Sequence, residues 1–269
     1  MSSDTVILDG ARGPEQVSAE IGGGSLVAFT APSPYKTTDN EDCVAAIPYG
    51  PAAVILAIAD GAGGLPSGRR ASRAAIQALE ASLNHAMDET MLLRTAILNG
   101  IDAANESILG IGNGSATTMT VMTIEGHTAR SYQIGDSKSM IVGQRGRIRA
   151  QTMAHSPTGF AVEAGFLDHR EALHHEERHL VSNFIGTSDM RIEIGAEVKL
   201  NPLDTILLAS DGLTDNVHND EIADLIRKGP LSKALDALTS LAARRMTIET
   251  IHQPSKPDDL SVILFRKPF

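Results

Sequence analysis

Val54–Gly64 reads VILAIADGAGG and Thr205–Asp215 reads TILLASDGLTD. In each, an apolar run closes on Asp-Gly. Continuous aliphatic runs of this length predict strands covered on both faces. The carboxylate at the end, Asp60 or Asp211, cannot stay ionised in a core unless a partner or a cation meets it. Two more stations share the arrangement. SYQIGDS (Ser131–Ser137) carries Asp136, and PDDLSVILF (Pro257–Phe265) carries Asp258 and Asp259. Glu41 and Asp42 precede a further strand-like segment. Singly, Asp-Gly is a common turn. Jointly, tight acidic turns on buried strands predict one end of a sandwich, with oxygens gathered for a hard divalent cation, Mg²⁺ or Mn²⁺.

Outward from these stations, SLVAFTA, DCVAAIP and AAVILAIAD read as strands, the last two joined by a turn at Tyr49-Gly50-Pro51. Ala-rich helical spacing from Ser67 to about Met87, then a second helix over about Glu89–Leu109, predicts an antiparallel pair. TTMTVMTI, TARSYQIG and KSMIVGQ return to β. RIEIGAEVKL alternates as one half-buried strand. Helices over Asn219–Arg227 and Leu231–Arg245 precede the last strand, LSVILFR. Strands in hairpin-linked blocks, interrupted by two helix pairs, do not fit a doubly wound parallel sheet. The expected class is α+β: a four-layer α-β-β-α sandwich of two mainly antiparallel sheets flanked by helix pairs. Residues 1–24 are expected to be a loose lead-in, and 25–269 a single catalytic domain with a mixed insertion at 155–186.

The 269 residues carry net charge −10, 42% hydrophobic residues, 3% aromatics and no Trp. This composition argues against a nucleic-acid surface, which needs positive charge or stacking platforms. The lone cysteine, Cys43, excludes an intramolecular disulfide and a thiolate zinc cluster. It reads as a small buried hydrophobe and suits a reducing cytoplasm. No apolar run reaches a membrane span and no secretory signal is visible, so a cytoplasmic protein without membrane insertion is expected.

The stations, taken in order, resemble the metal-dependent Ser/Thr protein phosphatases of type 2C, the PPM family, in bacterial-type form. NEDC is similar to the family's first acidic motif, ADGAGG to its Asp-Gly-x-Gly-Gly, IGDS to its Gly-Asp-Ser, ASDGLTD to its Ser-Asp-Gly-Leu-x-Asp, and DDLSVIL to its last motif. The resemblance runs from about Glu41 to Phe265. It implies the same sandwich with a binuclear Mn²⁺ or Mg²⁺ centre. It makes Asp60 the bridging ligand and gives the Gly61 carbonyl to one metal, with Glu41 and Asp42 beside it. Asp211 and Asp258 would hold the other metal, and Asp136 with Asp211 a third. It implies hydrolysis of phospho-Ser/Thr by in-line attack of a metal-bridging water, on substrates of a bacterial-type Ser/Thr kinase.

Two positions depart from the pattern. Ala62 stands where animal-type relatives carry His, as is usual in bacterial members. Thr37 stands where a phosphate-binding Arg is usual, which makes Lys36 and Arg69 the candidate substrate-binding cations. Lysine supplies charge but not a bidentate fork. Two alternatives share the fold: a pseudophosphatase that binds phosphoproteins without hydrolysis, and a small-molecule phosphomonoesterase.

Overall fold

The computed structural model describes residues 4–11, 13–62, 67–251 and 253–268. The chain begins with β1 (Val6–Leu8), β2 (Glu15–Ile21), β3 (Gly24–Ala31), β4 (Asp42–Tyr49) and β5 (Ala53–Asp60). Helices α1 (Gly68–Asp88) and α2 (Leu93–Ile111) follow. Then come β6 (Met119–Glu125), β7 (Thr128–Ile134), β8 (Lys138–Val142) and β9 (Ile148–Gln151), and the short helices α3 (Pro157–Glu163) and α4 (His169–Ala172). Next are β10 (Glu193–Ile194), β11 (Val198–Lys199) and β12 (Thr205–Ala209). The chain closes with α5 (Asp211–Thr214), α6 (Asn219–Ile226), α7 (Leu231–Thr247) and β13 (Leu260–Arg266).

Among the described residues, one sheet runs β1-β4-β5-β6-β7-β10, with β11 also on β7, and the other runs β2-β3-β13-β12-β8-β9. Every pairing is antiparallel. The period of two along a strand sorts side chains between layers. On β4, Cys43, Ala45 and Ile47 face α1 and α2, while Val44 and Ala46 face the other sheet. Cys43 is buried, as expected, and burial pushes its thiol up to about 12.

The first sheet packs on α1 through Ala71, Ala75, Ile76, Leu79 and Leu83, in one cluster with Ile97 and Ile101 of α2. Each large aliphatic side chain buried there contributes roughly 1.5–3 kcal/mol. The second sheet packs on α6 and α7 through Ile222, Leu235 and Leu238. Between the sheets lie Leu56, Ile58, Ile141, Ile206, Leu208, Ile263 and Phe265. The four layers follow the expected order.

Two expectations fail. The lead-in at 1–24 is not loose over its described part. Val6–Leu8 pairs with β4, and Glu15–Ile21 runs the length of β3. The β2 pattern, exposed and half-buried in alternation, is that of an edge strand, whose polar residues resemble a loop in composition. RIEIGAEVKL is not one strand. It touches β7 twice, at Glu193–Ile194 and Val198–Lys199. Between them the Gly195 amide donates to the Ser131 carbonyl at 2.9 Å, so the chain leaves the ladder and rejoins it.

Candidate metal centre and substrate cleft

Register brings the acidic stations together. Asp42 and Asp60 are direct partners across β4 and β5. Ala209 pairs with both Val262 and Lys138, so Asp211, Asp258 and Asp136 leave their strands at one end of the other sheet. The Asp60 carbonyl accepts hydrogen bonds from Thr117 Oγ1 at 2.7 Å and the Thr118 amide at 2.8 Å. Thr118 Oγ1 in turn lies 2.9 Å from Ser137 Oγ, next to Asp136.

The two Asp-Gly glycines serve close approach rather than a left-handed turn, since neither has positive φ. A Cβ on Gly61 would fall 2.4 Å from the Gly68 backbone, and one on Gly212 would fall 1.9 Å from the Asp259 carbonyl oxygen. The Gly63-Gly64 segment, expected to favour an anionic ligand beside the α1 N-terminus, lies outside the described residues.

Crowding sets the electrostatics. Asp42 is fully buried and neither carboxylate oxygen has a hydrogen-bond partner. The nearby Ser261 and Ser210 hydroxyls are engaged with Thr30 and the Asp259 carbonyl. Burial, then the charge of Asp259, raises Asp42 to about 8. Burial and the charges of Asp42, Asp211, Asp258 and Asp136 push Asp60 well above the usual carboxylate range. Burial with Asp211 and Asp215 raises Asp136 to about 8, and burial with Asp211 raises Asp258 to about 6.

These carboxyls hold protons to higher pH when folded than when unfolded. From about pH 4, where free carboxyls titrate, up to about 8, the native state therefore binds more protons than the unfolded chain. The stability of metal-stripped protein must fall as pH rises through that window. Thermal melts in EDTA should show a Tm several degrees lower at about pH 8 than at about pH 5. Saturating Mn²⁺ should recover the loss at the higher pH. A flat or rising Tm would show that the carboxyls do not repel one another as described.

Among the described residues, no three His, Cys, Asp or Glu side chains stand in ligating geometry around one point. The corner formed by Asp211, Asp215 and Asp258 holds Lys256. Its ammonium lies 2.5 Å from Asp211 Oδ2, 2.9 Å from Asp215 Oδ2 and 3.2 Å from Asp258 Oδ2. Burial works against the charged lysine, but the three carboxylates outweigh it and raise its pKa. The donor set is nonetheless one that hard divalent cations take. It is all oxygen, crowded with like charge, and it holds an unpartnered carboxylate in Asp42.

Of the neighbouring pair, Asp258 faces Asp211 while Asp259 is turned away. The Asp259 carboxylate accepts from the Ser33 amide, the Glu41 amide and Lys36 Nζ at 2.7, 2.7 and 2.6 Å. Lys36 also pairs with Glu41 at 3.0 Å. Arg69 pairs with Asp39 at 2.7 Å and Asp9 at 3.4 Å. Both expected substrate-binding cations are thus held by carboxylates. Sequence reasoning missed Lys256, Asp215 and the structural part of Asp259. Asp215 had a signal, because it lies four residues after Asp211 and shares its helical face. Lys256 had none, as a lysine beside an acidic pair reads as a solvated charge.

A cavity of about 920 Å³ opens beside the acids. Asp136, Asp211 and Asp215 form one side, and Val162, His169 and Arg170 from the 155–186 segment form the other. Its cations include Lys138, whose pKa burial lowers and whose ammonium donates to Asn219 Oδ1 at 3.1 Å. His155 anchors the segment. Its Nδ1 lies 3.2 Å from the Gly135 amide and 2.9 Å from Asn183 Nδ2, both as donors, which leaves Nε2–H to donate to Glu193 at 3.1 Å. The turn carrying Asp136 is thereby tied to the wall. Thr117 and Ile185 form a backbone bridge where the segment ends.

The family model described as protein phosphatase 2C matches residues 35–246. The chain is 29% identical over 215 residues to protein phosphatase PhpP of Streptococcus pneumoniae, covering 77% of this chain and 87% of that one. It is 27% identical over 202 residues to the serine/threonine phosphatase stp of Listeria monocytogenes, covering 70% and 78%. Its fold matches serine/threonine phosphatase Stp1 from Staphylococcus aureus at TM-score 0.77 and 24% identity, over 91% of this chain and 95% of that one. The catalytic domain of phosphatase PstP, solved with two manganese ions, matches at TM-score 0.70 and 23% identity, over 90% and 96%.

Proposed function

This chain belongs to the protein phosphatase 2C family, and from that premise we propose that it is a metal-dependent phosphatase of phosphoserine and phosphothreonine in proteins. The reading rests above all on Asp42, Asp60, Asp136, Asp211 and Asp258, brought from both sheets into one cluster of mutually repelling carboxylates. Asp60, the Gly61 carbonyl, Glu41 and Asp42 would hold one Mn²⁺ or Mg²⁺, and Asp211 and Asp258 would serve a second, with Asp136 and Asp211 offering a third position. Bound there, such ions supply Lewis-acid activation of water and neutralise the phosphate dianion.

The chain's own groups do the rest. Thr117 and Thr118 fix the Asp60 backbone. Asp259 and Lys36 hold Glu41 in place, so Lys36 shapes the acidic floor in addition to any charge it lends a phosphate. The cavity, with Lys138, His169 and Arg170 in its lining, would receive the phosphorylated side chain. Neither Cys43, buried on the helix side of β4, nor a covalent enzyme intermediate is required. A bacterial-type Ser/Thr kinase is the natural source of the substrate. Among the described residues no helix is long and apolar enough to cross a membrane.

A panel of phosphoserine, phosphothreonine and phosphotyrosine peptides, with p-nitrophenyl phosphate alongside, tests the proposal in Mn²⁺ and in EDTA. Mn²⁺-dependent turnover of the first two peptides is expected. Binding without turnover would favour the pseudophosphatase, and turnover of the small ester alone would favour the phosphomonoesterase.

A further inference from the structure

We propose that the Lys256 ammonium is an internal counter-cation for the Asp211–Asp215–Asp258 corner, so that a divalent ion enters this corner only by displacing it. The inference rests on the metal-dependent reading above and concerns a residue of this chain that the family motifs leave unassigned.

Three observations carry it. First, one ammonium contacts all three carboxylates, at 2.5, 2.9 and 3.2 Å. A divalent ion held by Asp211 and Asp258 would stand beside this ammonium, where two positive charges repel. Second, the lysine is placed by its backbone. The Asn216 side chain, fully buried, accepts from the Lys256 amide at 2.8 Å and donates to its carbonyl at 2.8 Å. Asn216 is itself fixed, since its own carbonyl accepts from Arg245, which pairs with Glu221 through both guanidinium amino groups. One residue earlier, Ser255 Oγ donates to the Arg245 carbonyl at 2.7 Å, and the Ser255 carbonyl accepts from Arg178 at 2.8 Å. A surface lysine that merely swung inward would not need this framework. Third, Asp215 directs its carboxylate to the same ammonium, so the corner is built around it from α5 as well as from the last motif.

The consequence is an asymmetric centre. The Asp60 side is left with unpartnered acid and takes a divalent ion readily, while the Asp211–Asp258 side already holds one positive charge and takes an ion weakly. Filling it would then need at least about tenfold more Mn²⁺ than the same corner without the lysine.

Isothermal titration of metal-stripped protein with MnCl₂ reads this directly, on wild type and on Lys256→Met and Lys256→Gln. Wild type should bind one tight ion fewer than either variant, and the extra site in the variants should be tighter by about tenfold or more. Equal numbers and affinities in all three would overturn the proposal. Should both variants fail to fold, acylation of wild-type lysines decides. In EDTA, Lys256 should label far more slowly than the exposed Lys233, and saturating Mn²⁺ should speed it. Labelling at the Lys233 rate in EDTA would overturn it. Mn²⁺-dependent phosphopeptide turnover with unchanged stoichiometry across the variants would sink the lysine inference and leave the phosphatase reading standing. No Mn²⁺ binding by any of the three proteins would sink both.

Discussion

Asp60→Asn is expected to lower the proposed Mn²⁺-dependent phosphatase activity by about 10²–10³-fold in kcat, the scale on which one principal electrostatic group matters. The same substitution should stabilise the metal-free fold. Burial and four neighbouring carboxylates push the titration of Asp60 upward, and an amide needs neither the charge nor the extra proton while keeping the shape. About 1 kcal/mol moves Tm by roughly 2–4 °C in a chain of this size, so a rise of a few degrees in EDTA is expected at about pH 8. Loss of activity with a higher apo Tm separates a functional carboxylate from a structural one. Full activity with Mn²⁺ would remove Asp60 from the centre. Lost activity with a lower apo Tm would mean that the group supports the fold instead.

Among the described glycines, Gly212→Ala is expected to be the most damaging single methyl. The added Cβ would meet the Asp259 carbonyl oxygen at 1.9 Å and the Leu260 Cα at 3.2 Å. Both are backbone, so no side chain can rotate away. The start of β13 would have to separate from α5, and with it the Asp258–Asp259 turn from Asp211. A loss of about 3 kcal/mol or more is expected, in the class of severe overpacking. Denaturant unfolding checks this, and a midpoint within experimental scatter of wild type would show that the two segments can part freely. Alanine at Gly110, where a Cβ meets nothing within 4 Å, is the natural control.

The clustering of the candidate acids was legible where an acid coincides with a strand boundary. VILAIAD and TILLASD announce both a two-faced strand and the acid beyond it, because hydrophobic continuity and a sudden carboxylate are local signals. The layer order was legible for the same reason, as period two on β4 divides Val44 from Cys43 without any knowledge of partners. What escaped was long-range or polar. Strand β2 escaped because an edge strand needs little apolar sequence, and its identity comes from pairing with β3. Lys36 and Arg69 read as free cations because nothing local reveals Asp259, more than two hundred residues away, or Asp39 and Asp9 as their partners. Lys256 escaped because its meaning depends on Asn216 and Asp215, brought beside it by the α5 turn. The reason for glycine at 61 and 212 was also hidden. Sequence suggested turn geometry, whereas the structure shows two backbones passing too close for a side chain.

The segment from His155 to Ile185 is stitched to the sandwich at both extremities, by the imidazole against Gly135 and by the bridge to Thr117. Between these stitches its contacts with the body are side-chain ones such as Arg170 with Asp220. The acidic floor, by contrast, is set by strand ladders. The two stitches, one beside Asp136 and one on the Thr117 that holds the Asp60 carbonyl, are where the stretch and the floor share a load. Substitutions in the intervening stretch would leave those ladders as they are, while a change at either stitch would be felt beneath the acids.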